Sequence, residues 1–241
     1  YWSYLQNNEV TLTATGIVPK RHLARINSTL IAPSDLQAAR DEPSAPRLFF
    51  LRLTMEDAGL IKADEQRLRP TPNSEEFLGH PVLRRADRLY DAWKRSTRWN
   101  ELLYLTGMRP SVASVQDAAA SALVVKARQY VLNLLNEAPA DGWVALDDLV
   151  QKIKLRHYEF LFKRERQQFG AVNPYYYYHN PLHWNFPVSD EAQGWERVEA
   201  EFIRAIFRDA LCWLGIVSLG YEKQHLVAFK FTEVGAVLLG R

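Results

Sequence analysis

Two stretches of the chain share one pattern of hydrophobic and polar positions. An apolar segment, Leu48 to Ala58, stops at Gly59, continues as Leu60-Ile61 through a short charged turn to Thr71, and closes on Phe77-Leu78-Gly79. A second, Phe202 to Leu214, stops at Gly215, continues as Ile216-Val217 through a similar turn to Thr232, and closes on Leu238-Leu239-Gly240. The Thr and the closing Gly are eight residues apart in both copies. Helical spacing before the Gly and alternation after it predict a helix, a two-stranded hairpin and a short closing helix, used twice. Thr71, followed by Pro72, and Thr232 are the expected caps of the closing helices.

The remaining pattern supplies the other elements. Val10-Thr11-Leu12 reads as a short strand, and Leu23, Ile26 and Leu30 as one face of a helix entered at Pro19, with Arg21 and Arg25 elsewhere on its surface. Residues 32–46, with three prolines, read as a loop. Val82 to Leu105 reads as one long amphipathic helix with a break near Ser96-Thr97. Asp117 to about Glu137 is a helix with Leu123, Ala127, Tyr130, Val131, Leu134 and Leu135 facing inward. Trp143-Val144-Ala145 is a strand, followed by a helix with Leu149, Ile153 and Leu155 apolar. Residues 170–189 are irregular, since Asn173-Pro174, Asn180-Pro181 and Phe186-Pro187 oppose regular helix. Asp190 to Leu214 carries the clearest helical period, and Val227, Phe229 and Phe231 alternate in the strand after it.

A hairpin this small is not stable alone and must lie against the helix before it. The expected fold is therefore mostly α with small β-hairpins (α+β), arranged as tandem winged-helix domains joined by a long helix and a linker. The first domain with its trailing helix is 1–105, the linker 106–116, and the second domain 117–241 with an aromatic insertion over 163–189. The first copy lacks an obvious opening helix; one upstream of Tyr1, or Val82 to Leu105, would take that place.

Composition adds limits. The 241 residues are 47% hydrophobic with seven Trp, enough for real cores. The formal net charge is +2, so any basic surface is local. Cys212 is the single cysteine and has no disulfide partner within the chain. With no apolar run near 18 residues and no signal-peptide pattern, a soluble cytoplasmic protein without membrane contact is expected. A start at Tyr1 fits a piece of a longer protein.

"DALCWLGIVSLG" (Asp209–Gly220) followed by "AFKFTEVGAVLLG" (Ala228–Gly240) resembles the winged-helix regions that accompany bacterial XPB-type helicases, as does "RLYDAWKRSTRWNEL" (Arg88–Leu102) with its paired Trp residues. The resemblance covers about half of the chain and rests on apolar packing signatures. It implies DNA-associated, accessory or regulatory work beside a helicase motor. The chain itself has no Gly-x-x-x-x-Gly-Lys-Ser/Thr loop.

The richest candidate surface is Lys152 to Arg166. Lys152, Lys154, Arg156, Lys163, Arg164 and Arg166 oppose only Glu159 and Glu165, with Tyr158, Phe160 and Phe162 interleaved. Cations hold phosphates and aromatic faces stack on bases; the bland alternative is a solvated helix whose aromatics enter the core. Tyr175, Tyr176, Tyr177 and Tyr178, with His179, His183 and Trp184, form either a binding surface or a roof over the core. His179 and His183 have a metal-ligand spacing, but Asn180-Pro181 interrupts it and nothing completes a site, so no metal or cofactor is expected. Arg84, Arg85, Arg88, Lys94, Arg95 and Arg98 read as a solvated face, Asp147-Asp148 as a helix cap, and Cys212 as a small core residue. In the third helix of each copy Arg47 and Arg52 are offset by Glu56 and Asp57, and Arg197, Arg204 and Arg208 by Glu196, Glu199, Glu201 and Asp209. That argues against reading of base edges in a groove.

The sequence therefore predicts a non-enzymatic DNA-binding module, accessory to a helicase or other DNA-processing system. It would contact single- or double-stranded DNA nonspecifically, through Lys152–Arg166 and Tyr175–Tyr178. The alternative is a protein-protein interaction scaffold that uses the Tyr-rich insertion.

Overall fold

The computed structural model describes residues 1–105, 118–161 and 192–240. The chain divides into two compact units, Tyr1–Ser96 and Thr97–Arg241. Both combine helices with a small three-stranded antiparallel sheet, an α+β architecture.

In the first unit the order is α1 (Trp2–Asn7), β1 (Val10–Thr11), α2 (Lys20–Ser28), α3 (Pro46–Asp57), β2 (Ile61–Asp64), β3 (Arg67–Pro70), α4 (Asn73–Gly79) and α5 (Val82–Arg95). The opening helix expected to be missing is present as α1. Its six residues span under two turns, too few for a period to register, yet Tyr4 and Leu5 are buried. Strand order is β1–β3–β2, with Leu68 opposite Val10 on one side and Ala63 on the other. Glu65 and Gln66 turn the hairpin with positive φ at both positions, which matches the twist of the strands. The core gathers Leu5, Val10, Leu23, Ile26, Leu48, Ile61 and Leu68.

Helix α3 is apolar on more than one face. Leu48, Arg52 and Met55 fall on one side at helical spacing, and Leu48 and Met55 join the core. Phe50 and Leu53, on the opposite side, are equally buried, and α5 packs against α3. Arg52 is buried with Glu42: its Nε donates to Glu42 Oε1 at 2.7 Å, and the Val18 amide donates to Oε2 at 2.8 Å. Desolvation raises the Glu42 carboxyl above its ordinary range, opposed by Arg52.

In the second unit a 3-10 turn (Glu101–Tyr104) precedes α6 (Ala118–Leu135), β4 (Val144–Ala145) and α7 (Leu146–Arg156). A continuous helix over 192–211, α8, then passes through two π-helical stretches, Glu196–Ala200 and Ile206–Leu211. β5 (Val217–Glu222), β6 (His225–Phe231) and α9 (Glu233–Leu238) complete it. Strand order is β4–β6–β5, with Phe229 between Val144 and Leu219. The second hairpin is longer, carries an irregularity between Gly220 and Tyr221, and turns at Lys223 and Gln224, again with positive φ. Trp195, Phe202, Phe207 and Phe229 are fully buried.

One junction is repeated almost atom for atom. Gly59 and Gly215 have φ of +69° and +70°, a conformation that glycine adopts without steric cost. The Leu60 amide donates to the Met55 carbonyl, and the Ile216 amide to that of Leu211, both at 2.9 Å. Thr71 Oγ1 donates to the Gly59 carbonyl and Thr232 Oγ1 to that of Gly215, both at 2.6 Å. The expected caps divide here. Thr232 does cap α9, accepting from the Gly235 amide at 3.0 Å, whereas α4 begins later, at Asn73, with no side-chain cap.

The helix expected over 82–105 breaks near Ser96-Thr97, as its pattern allowed, but does not resume as α-helix to Leu105. It ends at Arg95, and Ser96 is extended. Trp99 is buried in the second unit, stacked on Tyr104 at 4.6 Å and edge-on to Trp213 at 6.0 Å. Its neighbour Glu101 meets Arg128 of α6, with Arg128 Nε and Nη2 donating to the two carboxylate oxygens at 2.8 Å each. Nη2 also donates to the Trp99 carbonyl at 2.8 Å. Residues 97–105, assigned from sequence to the first domain, thus pack in the second unit, and the division falls at Ser96/Thr97.

Candidate nucleic-acid interface

Of the six cations expected to hold phosphates, Lys152, Lys154 and Arg156 lie on α7, and each meets a carboxylate. Lys152 Nζ is 2.8 Å from Glu137 Oε2, and Arg156 Nη1 is 2.6 Å from Glu137 Oε1. Hydrogen bonds from Lys152 and Arg156 hold the Glu137 carboxyl below its ordinary range. Lys154 Nζ sits 2.8 Å from Glu196 Oε1 and 4.9 Å from the centre of the Trp195 ring. A phosphate would have to displace these carboxylates to gain the cations. Lys163, Arg164, Arg166 and Tyr175 to Tyr178, like His179 and His183, lie outside the described residues, as do the linker 106–116 and the insertion 163–189.

Two of the aromatics interleaved in that segment, Tyr158 and Phe160, turn inward, and Phe162 lies outside the described residues. Phe160 is buried against Tyr130 and Phe202, and Tyr158 stacks on Trp195 at 6.1 Å while its carbonyl accepts from Trp195 Nε1 at 3.0 Å. Their burial follows the bland alternative of aromatics that enter the core, although they lie beyond α7, which ends at Arg156.

Helix α8 has little free surface. From Val198 to Leu211 almost every side chain is buried or half-buried, and Arg197 alone is exposed between Trp195 and Leu214. Arg204 reaches Asp147 at 2.9 Å and Glu201 at 3.0 Å, and Arg208 reaches Asp209 at 2.9 Å. The third helix of each unit is a packing element on nearly all sides.

Along α5, Arg88 Nη2 donates to the Ala58 carbonyl at 2.8 Å and so closes the end of α3, and Arg95 meets Asp91 at 3.2 Å. Tyr90 beneath is buried, which raises its phenol to about 12. Asp147 and Asp148 occupy the first turn of α7. Cys212 is half-buried.

Among the described residues, exposed cations outside any ion pair occur in both units, Lys126, Lys223 and Lys230 in the second, but the first unit sets two of them face to face. Lys62 of β2 is directly opposite Arg69 of β3, both exposed. Like charges at facing positions repel and lower hairpin stability. Beside them Arg67 meets Glu9 at 2.9 Å, and Arg69, Arg67 and Glu9 line an open groove of about 490 Å³. On α2, Lys20, Arg21 and Arg25 are exposed, and the helix carries no acidic residue. Sequence reasoning passes over these positions because it weighs contiguous charge. The signal is there in the alternation that puts Lys62 and Arg69 on one sheet face.

Among the described residues, no helix is long and apolar enough to cross a membrane, and no group of three His, Cys, Asp or Glu could hold a metal. Compared with known proteins, the chain shows no significant match to a family model, a curated protein or a solved structure.

Proposed function

We propose that this chain is a non-catalytic pair of winged-helix units that binds nucleic acid through its phosphates, led by the hairpin of the first unit. The winged-helix reading draws on the order helix, strand, helix, helix, hairpin, short helix in both units. It draws also on the edge strand pairing with the second strand of each hairpin. The binding reading is carried by one observation: Lys62 faces Arg69 across the hairpin, both exposed, and among the described residues neither is in an ion pair, while Asp64 on the same face stands opposite Arg67. A bound phosphate converts that repulsion into two charge-assisted contacts. Sequence-independent contact suits third helices whose surfaces are spent on packing. The resemblance to segments beside XPB-type helicases is the reason to seek the setting in DNA processing.

The test is titration of the full chain with single- and double-stranded DNA at two salt concentrations. Lys62→Gln/Arg69→Gln should weaken binding and flatten the salt slope by about 0.9 for each duplex phosphate that is no longer neutralised. No affinity for either DNA at low salt ends the proposal.

The alternative, a protein-docking scaffold, is favoured for the second unit by its exposed aromatics. Trp143 is 55% exposed and Tyr221 54%. The Trp143 ring rests beside Gly220, with Lys230 Nζ 5.1 Å from its centre. Trp143→Ala would then abolish capture of a protein partner while leaving DNA affinity intact.

A further inference from the structure

The outer face of α2 breaks a local rule. Lys20 and Arg21 occupy its first turn, where the helix dipole disfavours cations, and no side chain caps it. Lys20, Arg21, Ala24, Arg25 and Ser28 are all exposed and recur on one side of the helix, while His22, Leu23, Ile26 and Asn27 are buried on the other. Arg21 Nε donates to the neighbouring His22 Nε2, at 3.3 Å. Lys20 and Arg25 have no side-chain partner among the described residues. A position that costs helix stability without a compensating contact points to a ligand that supplies one.

Three residues after the end of α2 stands a second oddity. Ile31 is 107% exposed, an apolar side chain in full contact with water. Its loop is pinned at the base. The buried Asn27 donates from Nδ2 to the Ser34 carbonyl at 2.8 Å and accepts from the Ser34 amide at 2.9 Å. Arg47 Nη1 donates to the Ala32 carbonyl at 2.7 Å. The nearest following carboxylate, Asp35, is engaged by the Gln37 amide at 2.8 Å. The loop thus holds Ile31 outward, where an unpinned loop would let it fold back against Leu30.

Resting on the nucleic-acid reading above, we infer that α2 and this loop form a duplex-distorting contact, in which Lys20, Arg21 and Arg25 grip backbone phosphates and Ile31 enters between base pairs. An apolar wedge flanked by cations is the chemistry that unstacks a base step and stabilises a kink. One isoleucine with three cations is too small an apolar face for stable residence at a lipid surface. The wedge makes flexible steps, mismatches and junctions better targets than a stiff duplex.

The experiment uses the full chain and a duplex with 2-aminopurine at a central step. Wild-type protein should raise its fluorescence several-fold at saturation. Ile31→Ser, at a position that bears no packing, should keep its melting temperature and bind within about tenfold of wild type, yet lose the fluorescence rise. Lys20→Gln/Arg21→Gln/Arg25→Gln should flatten the salt slope by about 0.9 per cation removed. An unchanged fluorescence rise in Ile31→Ser overturns the wedge. An unchanged slope in the triple variant, while Lys62→Gln/Arg69→Gln still flattens it, overturns the α2 contact and leaves the broader reading standing. Absence of all DNA binding, with Ile31-dependent retention on phosphatidylserine vesicles, overturns both.

Discussion

The hydroxyl of Thr232 donates to the carbonyl of Gly215 at 2.6 Å and so fastens the end of β6 to the end of α8. The first unit repeats the fastening with Thr71 and Gly59. Removing the hydroxyl leaves a carbonyl short of a donor, so Thr71→Val should cost about 1 kcal/mol, and Thr232→Val, which also uncaps α9, about 2 kcal/mol. Gly59→Ala and Gly215→Ala force a side chain into the left-handed region and should cost about 1–2 kcal/mol each. Urea unfolding with an unchanged m-value is the measurement. Wild-type midpoints in all four would refute the role given to this junction.

Gly235 is a matter of space. A Cβ there would sit inside the carbonyl oxygen of Ile216, where α9 crosses the start of β5. Gly235→Ala should destabilise the second unit by about 3 kcal/mol, the upper range for overpacking. Gly79→Ala, with open space around it, serves as the control and should change stability by less than about 0.5 kcal/mol.

The Arg128–Glu101 pair is fully buried, both side chains at 0% exposure. Removing one partner strands a charge, so Arg128→Met should cost about 3–5 kcal/mol, while Glu101→Leu/Arg128→Met together should recover much of it. A double variant no better than the single would show that the Arg128 contact with the Trp99 carbonyl, and not the ion pair, dominates the cost.

His22 should make the first unit acid-sensitive. Tyr4 Oη lies 2.9 Å from His22 Nδ1, and Arg21 Nε donates to Nε2, an arrangement that uses the neutral ring. Burial first, then Arg21 and Arg25, lower its pKa from the free value of about 6.5. The unfolded chain therefore takes up the proton first as pH falls. Stability should be full above about pH 6.5 and decline below it, towards the lower folded pKa. His22→Gln should flatten the decline between pH 7 and 5, followed by thermal melts.

Glu137 separates two surfaces. Its carboxylate occupies Lys152 and Arg156 together. If the first unit carries the binding, Glu137→Gln should leave DNA affinity within about twofold. A clear rise in affinity with a steeper salt slope would return the 152–166 segment to the interface.

Local signals make much of the architecture legible. Gly59 and Gly215 stop helices, and both hairpins follow where alternation puts them. The failures are equally local. Helix α1 is too short to show a period, and the break read near Ser96-Thr97 gives no sign that Trp99 goes on to a tertiary stack with Tyr104. Charge is misjudged because a linear count of Lys and Arg sees none of the carboxylates that arrive from elsewhere. Glu196 reaches Lys154 across forty-two positions of chain. Lys62 and Arg69 look ordinary in sequence because their repulsion exists only once the strands are paired.

The clasp between Glu101 and Arg128 also governs how the protein can be dissected. A C-terminal fragment begun at 117, the tempting cut from sequence, would entomb a guanidinium with no counterion. One begun at Thr97, longer by twenty residues, carries its own neutraliser.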